Sequence, residues 1–256
     1  MKKIILIFAL FFLVTSVKAG EEKKSPVGID EKPGAIVPGD ITLFDETGKT
    51  VKLGDLTNGK PVILTLVYYK CPGVCSPLLT ELAHIVDKLD FQIGKEYEII
   101  TISFNTSEDY VMAAEKKKNY FSLLKVKKAG DSDWRFLTAD SINVARITDA
   151  VGFRYIKQGE DFVHAGALTI LSPERKITRY LYGTEFLAFD VKMALMEAAE
   201  GRIGSPISKI TKLCYSFDAE GRKYVLNVTR VAGGGTLLVL MIFAVFLVAR
   251  KKKKKE

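Results

Sequence analysis

The 256-residue chain is poor in chemistry-bearing side chains: three cysteines, two histidines and one tryptophan. Three cysteines exclude a disulfide scaffold, because at most one bridge forms and one thiol is left over. No internal repeat is present. A basic field is missing too, despite a net charge of +8. Three lysines in residues 1–19, and the six basic residues less Glu256 of the tail, account for all of it. The stretch between them is near neutrality, which excludes an electrostatic surface for nucleic acid.

The ends carry their own signals. Residues 1–19 run from a basic start through an apolar core to Val17-Lys18-Ala19, which reads as a signal peptide cleaved after Ala19. Residues 231–249 hold no charge and have the length of one transmembrane helix. The basic run 250–255 that follows marks a cytoplasmic side. The two ends together predict a single-pass protein of the bacterial cytoplasmic (inner) membrane, with its main domain on the periplasmic, extracytoplasmic side. The expected organisation is a signal peptide (1–19), a flexible arm (20–37), a main domain (38–200), a juxtamembrane segment (201–230), a transmembrane helix (231–249) and a tail (250–256).

Within the main domain the pattern is α/β. Short alternating runs at 41–44 and 51–53 predict a hairpin. The dense apolar run 61–69 (PVILTLVYY) and the run 97–104 (YEIITISF) predict buried strands. Helices are expected at 107–124, with Ser107 as a cap, at 142–150 and from 184 or 185 to 200. Residues 134–137 form a short segment, 153–156 a strand, and 167–171 with 177–181 a strand pair. This order gives a central sheet covered by helices.

The sharpest feature lies where the first strand meets a helix: Lys70-Cys71-Pro72-Gly73-Val74-Cys75. Apolar residues Leu78, Leu82, Ile85 and Leu89 follow at helical spacing, so the cysteines sit on a strand-to-helix turn. Unpaired N–H groups and the positive end of the helix dipole favour thiolate there. A CxxxC pair is then a disulfide, a redox couple or a soft-metal site, and spacing alone does not choose. His164 lies in Asp161-Phe162-Val163-His164-Ala165-Gly166, just before a strand. If the sheet runs parallel there, His164 falls at the edge of the cysteine turn and completes a two-sulfur, one-nitrogen site. The alternative is an ordinary loop histidine. His84 falls with Glu81 and Lys88 on the polar face of its helix and reads as solvated. Asp161 is either a carboxylate supporting the site or a surface residue. Tyr68 and Tyr69 shelter the site or fill the core. Cys214 is a spare or buried thiol.

Three stretches, YYKCPGVCSPLLTEL at 68–82, WRFLT at 134–138 and DFVHAGALTILSPERKI at 161–177, resemble the SCO1/SenC family of copper chaperones for cytochrome c oxidase assembly. The resemblance spans about residues 38–199. It implies a thioredoxin-like central sheet flanked by helices, here with a C-terminal transmembrane helix. It implies Cys71, Cys75 and His164 as ligands of copper, as Cu(I) and also Cu(II). The implied task is delivery of copper to the dinuclear site of cytochrome c oxidase. The implied partners are the oxidase copper-binding subunit and a thioredoxin-like protein that keeps the thiols reduced. The chain departs from the family's SVDP pattern at Ser103-Phe104-Asn105-Thr106, and from its common N-terminal anchor. The competing reading is a thiol–disulfide oxidoreductase with Cys71 and Cys75 as its catalytic pair. A third is a structural, membrane-tethered binding module.

Overall fold

The computed structural model describes residues 26–57, 59–204, 215–218 and 223–226, and six positions between 233 and 244. The core is a five-stranded sheet built on two parallel strands, β4 (Val62–Val67) and β5 (Glu98–Ser103), whose residues are all buried. Both strands are covered on two faces, which is why VILTLV and EIITIS read as near-continuous apolar runs rather than alternating ones. β6 (Trp134–Leu137) extends the parallel set, with Ile99 opposite Trp134 and Ile102 opposite Leu137. On the other side β9 (Ala167–Leu171) runs antiparallel to β4, and β10 (Ile177–Tyr182) antiparallel to β9. The order across the sheet is β10-β9-β4-β5-β6.

The few polar groups inside are paired. Thr65 Oγ1 donates to Thr101 Oγ1 at 2.9 Å, and Trp134 Nε1 donates to the same oxygen at 3.0 Å. This ladder pins the three parallel strands in register, while the Trp134 ring is fully buried.

Among the described residues, four helices of ten residues or more flank the sheet. These are α2 (Cys75–Lys88), α3 (Tyr110–Phe121), α4 (Ser141–Ala150) and α5 (Ala188–Ala199), after a single turn, α1 (Leu53–Leu56). The helix expected from Ser107 begins at Tyr110. Asp109 caps it, accepting from Met112 N at 3.0 Å. Its buried residues are Ala113 and Tyr120 rather than the more apolar Val111, which is exposed. Asp140 caps α4 in the same way, accepting from Asn143 N at 2.8 Å. The helix expected from 184 or 185 begins at Ala188, and Leu187, just before it, is 69% exposed.

Two smaller sheets frame the domain. The hairpin of β2 (Thr42–Phe44) and β3 (Thr50–Lys52) forms where expected. β1 (Gly28–Ile29), β7 (Phe153–Gln158) and β8 (Asp161–His164) make a separate antiparallel sheet. The chain between Val27 and Val37 runs along the domain. Asp30 N donates to Gly152 O at 2.8 Å, Gly34 N to Ile177 O at 2.8 Å, and Val37 N to Arg175 O at 2.9 Å. Gly152 has φ +67°, and a Cβ there would collide with the Asp30 carbonyl, so this junction requires glycine. A further hairpin pairs β11 (Tyr215–Asp218) with β12 (Lys223–Leu226).

The expected C-terminal transmembrane helix is corrected here. Among the described residues no helix is long and apolar enough to cross a membrane. A span needs about 20 apolar residues to cover roughly 30 Å of hydrocarbon. The longest described helix is α2, with 14 residues, and its apolar face is buried in the domain core. The single-pass placement in the cytoplasmic membrane rested on that span and falls with it. Most of residues 231–249, the signal peptide 1–19 and Cys214 lie outside the described residues.

Candidate metal centre

β4 ends at Val67, and the chain tightens at once: Cys71 N donates to Tyr68 O at 3.2 Å. Cys75 opens α2. The Cys71 sulfur sits over this helix start, accepting from Gly73 N at 3.4 Å and Cys75 N at 3.5 Å. His164 is the last residue of β8, paired with Tyr155 across the small sheet, and not a loop residue.

Antiparallel pairing brings it to the cysteines. Leu168 lies opposite Thr65 and Leu171 opposite Val62, so β9 begins where β4 ends. A parallel β9 would have begun at the opposite edge, so the condition attached to His164 in the sequence is reversed while the juxtaposition itself is found. Contact between the two segments is close. A Cβ on Gly166 would stand 2.8 Å from Val74 Cγ2 and 3.1 Å from Gly183 O.

The result is a cluster of three potential ligand atoms, all within 4.8 Å of one another. Cys75 Sγ is 3.3 Å and Cys71 Sγ 4.0 Å from His164 Nε2. Cys71 is 7%, Cys75 3% and His164 2% exposed. With bonds of about 2.3 Å to sulfur and about 2.0 Å to nitrogen, a trigonal ion separates sulfur from nitrogen by about 3.7 Å. The two observed spacings bracket that value. The histidine is also presented correctly: Nδ1 is 3.0 Å from Ala165 O. A carbonyl only accepts, so Nδ1 carries a hydrogen, and Nε2 is the ring nitrogen that faces the sulfurs. Two thiols and an imidazole form a soft donor set that can hold a metal ion.

The thiols are electrostatically unequal. The hydrogen bond from the Cys75 thiol, helped by His164 and the N–H groups of Cys75 and Gly73, pulls Cys71 far below the usual thiol range against its burial. Burial, together with the neighbouring Cys71 sulfur, pushes Cys75 well above it. The pair thus holds one proton, on Cys75, and exposes one nucleophilic sulfur.

Aromatic rings enclose the imidazole. Phe104 lies 5.1 Å, Tyr68 5.7 Å and Phe153 5.8 Å from it, centroid to centroid. Tyr68 OH donates to Asp161 Oδ1 at 3.3 Å, so Asp161 orients a wall residue while the Ala165 carbonyl orients the histidine. Tyr69 turns away, donating to Leu137 O at 2.8 Å. His84 is 47% exposed beside Glu81 on its side chain, away from the cluster. Asn105 serves a local turn, accepting from Ser107 N at 3.1 Å. Sequence reasoning missed Phe104 and Phe153 as walls of the site. It also missed Glu108, whose buried carboxylate accepts from Tyr69 N and Lys70 N. Phe104 is the last residue of a predicted strand, which was the available signal; Glu108 had none.

A mixed sheet with a cysteine pair at the start of the helix after its central strand defines a thioredoxin-like protein. The SCO1/SenC family model matches residues 29–194, and the chain belongs to that family. Two similar structures come from Aquifex aeolicus VF5, both of proteins provisionally assigned to electron transfer or transport. One is 31% identical, with a TM-score of 0.60, covering 67% of this chain and 96% of that one. The other is 28% identical, with a TM-score of 0.57, covering 66% and 99%. Arabidopsis thaliana ScoI with copper bound shares the fold at 19% identity and a TM-score of 0.52, over 64% of this chain and 99% of that one. No curated protein matches the chain.

Proposed function

We propose that the chain is a copper metallochaperone, with copper as its cargo rather than a resident cofactor. Cys71, Cys75 and His164 hold Cu(I), and the same set with its imidazole also accommodates Cu(II). The observation that carries this reading is the convergence of three buried soft donors, with Nε2 facing both sulfurs. A redox pair alone has no need of that nitrogen. Binding displaces the proton on Cys75, and release follows when an incoming thiolate or imidazole replaces one ligand at a time. The receiver under this reading is the copper-binding subunit of cytochrome c oxidase, at its dinuclear site. Copper is the ion held by ScoI of Arabidopsis thaliana. The cargo site works only with both thiols reduced. A Cys71–Cys75 disulfide would take two electrons and two protons from the dithiol of a thioredoxin-like partner to be restored.

The unequal thiols favour a second reading. A low-pKa sulfur at a helix start beside a protonated thiol is also the arrangement of a thiol–disulfide oxidoreductase. There Cys71 attacks a substrate disulfide, Cys75 resolves the mixed disulfide, and His164 is dispensable. The electron-transfer assignments of the two Aquifex proteins fit this alternative.

Replacing His164 with Ala separates the two. The metallochaperone loses one bound copper per reduced chain, read by metal analysis, with affinity down at least a hundredfold. Copper retained at wild-type affinity after that substitution, with thiol exchange intact, would leave the oxidoreductase as the function.

A further inference from the structure

A carboxylate not used in the site chemistry above stands behind the CPGVC turn. Glu108 is 6% exposed. Its Oε2 accepts from Tyr69 N at 2.6 Å and from Ser103 Oγ at 2.6 Å, and its Oε1 accepts from Lys70 N at 2.8 Å. Both oxygens face donors. Each oxygen accepts from a backbone N–H, so the carboxyl group bridges two successive amides.

The other acidic groups of the interior are matched by cations. Glu46 meets Lys117 at 3.1 Å and Arg135 at 3.2 Å, Asp45 meets Arg135 at 3.1 Å, and Glu98 meets Lys60 at 2.7 Å. Among the described residues no lysine or arginine pairs with Glu108. Its charge is offset only by N–H and O–H dipoles, at a site where an uncompensated charge is costly. Two of those dipoles belong to the peptides that lead directly into Cys71.

We propose that Glu108 is the positioning residue of the metal centre: it clamps the amides of Tyr69 and Lys70, which set where Cys71 sits, and its charge favours a cation in the cluster. This rests on the copper-carrying reading above.

The test uses the full chain, reduced and free of oxygen, titrated with Cu(I) and separately with Zn(II) against competing chelators. Glu108→Gln keeps the size and removes the charge. A Coulomb energy doubles with the charge of the ion. A loss of about tenfold for Cu(I) should therefore accompany a loss of about a hundredfold for Zn(II). Glu108→Asp keeps the charge and shortens the reach, so both ions should lose affinity by the same factor. Equal losses in Glu108→Gln, or unchanged affinities, would overturn the proposal. Should circular dichroism show that Glu108→Gln does not fold, Ser103→Ala carries the test. It removes one hydrogen bond and no charge, so both affinities should fall severalfold in parallel, and unchanged affinities would again overturn the idea. A wild-type chain that binds no copper sinks the carrying function. A wild-type chain that binds copper no better than its Glu108 variants sinks only the role of Glu108.

Discussion

The two segments that build the centre are held by different forces. The cysteine turn, residues 68–75, is fixed by directed polar contacts: the Tyr68 carbonyl, two N–H groups on the Cys71 sulfur, and the Glu108 carboxylate on the amides of Tyr69 and Lys70. The histidine segment, 161–166, has its backbone in the ladder of β8 with β7, but the imidazole itself is fixed mostly by shape. One carbonyl sets the ring's tautomer, and the rings of Phe104, Tyr68 and Phe153 set its position. Directed bonds suit the side that must hold an unstable charge. Packing suits the side that must present a neutral lone pair and exclude water.

The largest expected departure from this division comes from Phe104→Ala. It empties the centre of the aromatic wall and should cost about 3–5 kcal/mol of stability. A denaturant melt measures that loss, and copper affinity should drop with it as the imidazole gains room. If affinity holds while stability falls, packing does not position His164. Gly166→Ala tests the seam between the two segments. Its Cβ would press on Val74 and on the Gly183 carbonyl, and overpacking of this kind costs about 1–3 kcal/mol. Copper affinity should fall in proportion, because the seam sets the sulfur–nitrogen spacing; a stable variant with normal affinity would show the segments to be independent.

The smallest effect per step is on pH. The Cys75 pKa is raised, so this thiol is protonated in the metal-free protein at neutral pH, while Cys71, shifted down, is already thiolate. Binding releases one proton, and affinity should rise with pH by about tenfold per unit across the neutral range. A slope near zero, read from chelator competition at several pH values, would mean the proton is not on Cys75. A slope of two would mean the thiols are alike. The same shifts give opposite signs for folding. The depressed Cys71 stabilises the fold above the ordinary thiol pKa, and that contribution is lost as pH falls towards its folded value. The raised Cys75 stabilises below the ordinary value, and its contribution is lost as pH rises.

How much of this was legible in the sequence follows the range of the interactions. The cysteine turn needed only short-range pattern: an apolar run, a proline and glycine, then helical spacing, and β4 and α2 lie where that pattern puts them. His164 lies 89 residues beyond Cys75, and only a guess at the strand direction and the family resemblance joined them. The direction of β9 could not be read, because a buried strand pair has the same composition whether parallel or antiparallel. Helix ends moved by about three residues where a nearby aspartate out-competed the expected serine cap. Glu108 was illegible in principle. One glutamate in Ser107-Glu108-Asp109 looks like any polar helix entry, and only the tertiary fold turns it inward.

The segment between Val27 and Val37 carries a consequence for how the protein is made. Gly28 pairs with Arg154, and Val37 is bonded to Arg175, so β1 waits for a partner made about 125 residues later. At roughly 5–20 residues per second that delay is about 6–25 s. The central strand waits as well, because β4 needs β9 on one side. The nascent chain therefore has to carry the apolar run of β4 and two reduced thiols unprotected for most of its synthesis, and the domain closes late and nearly all at once.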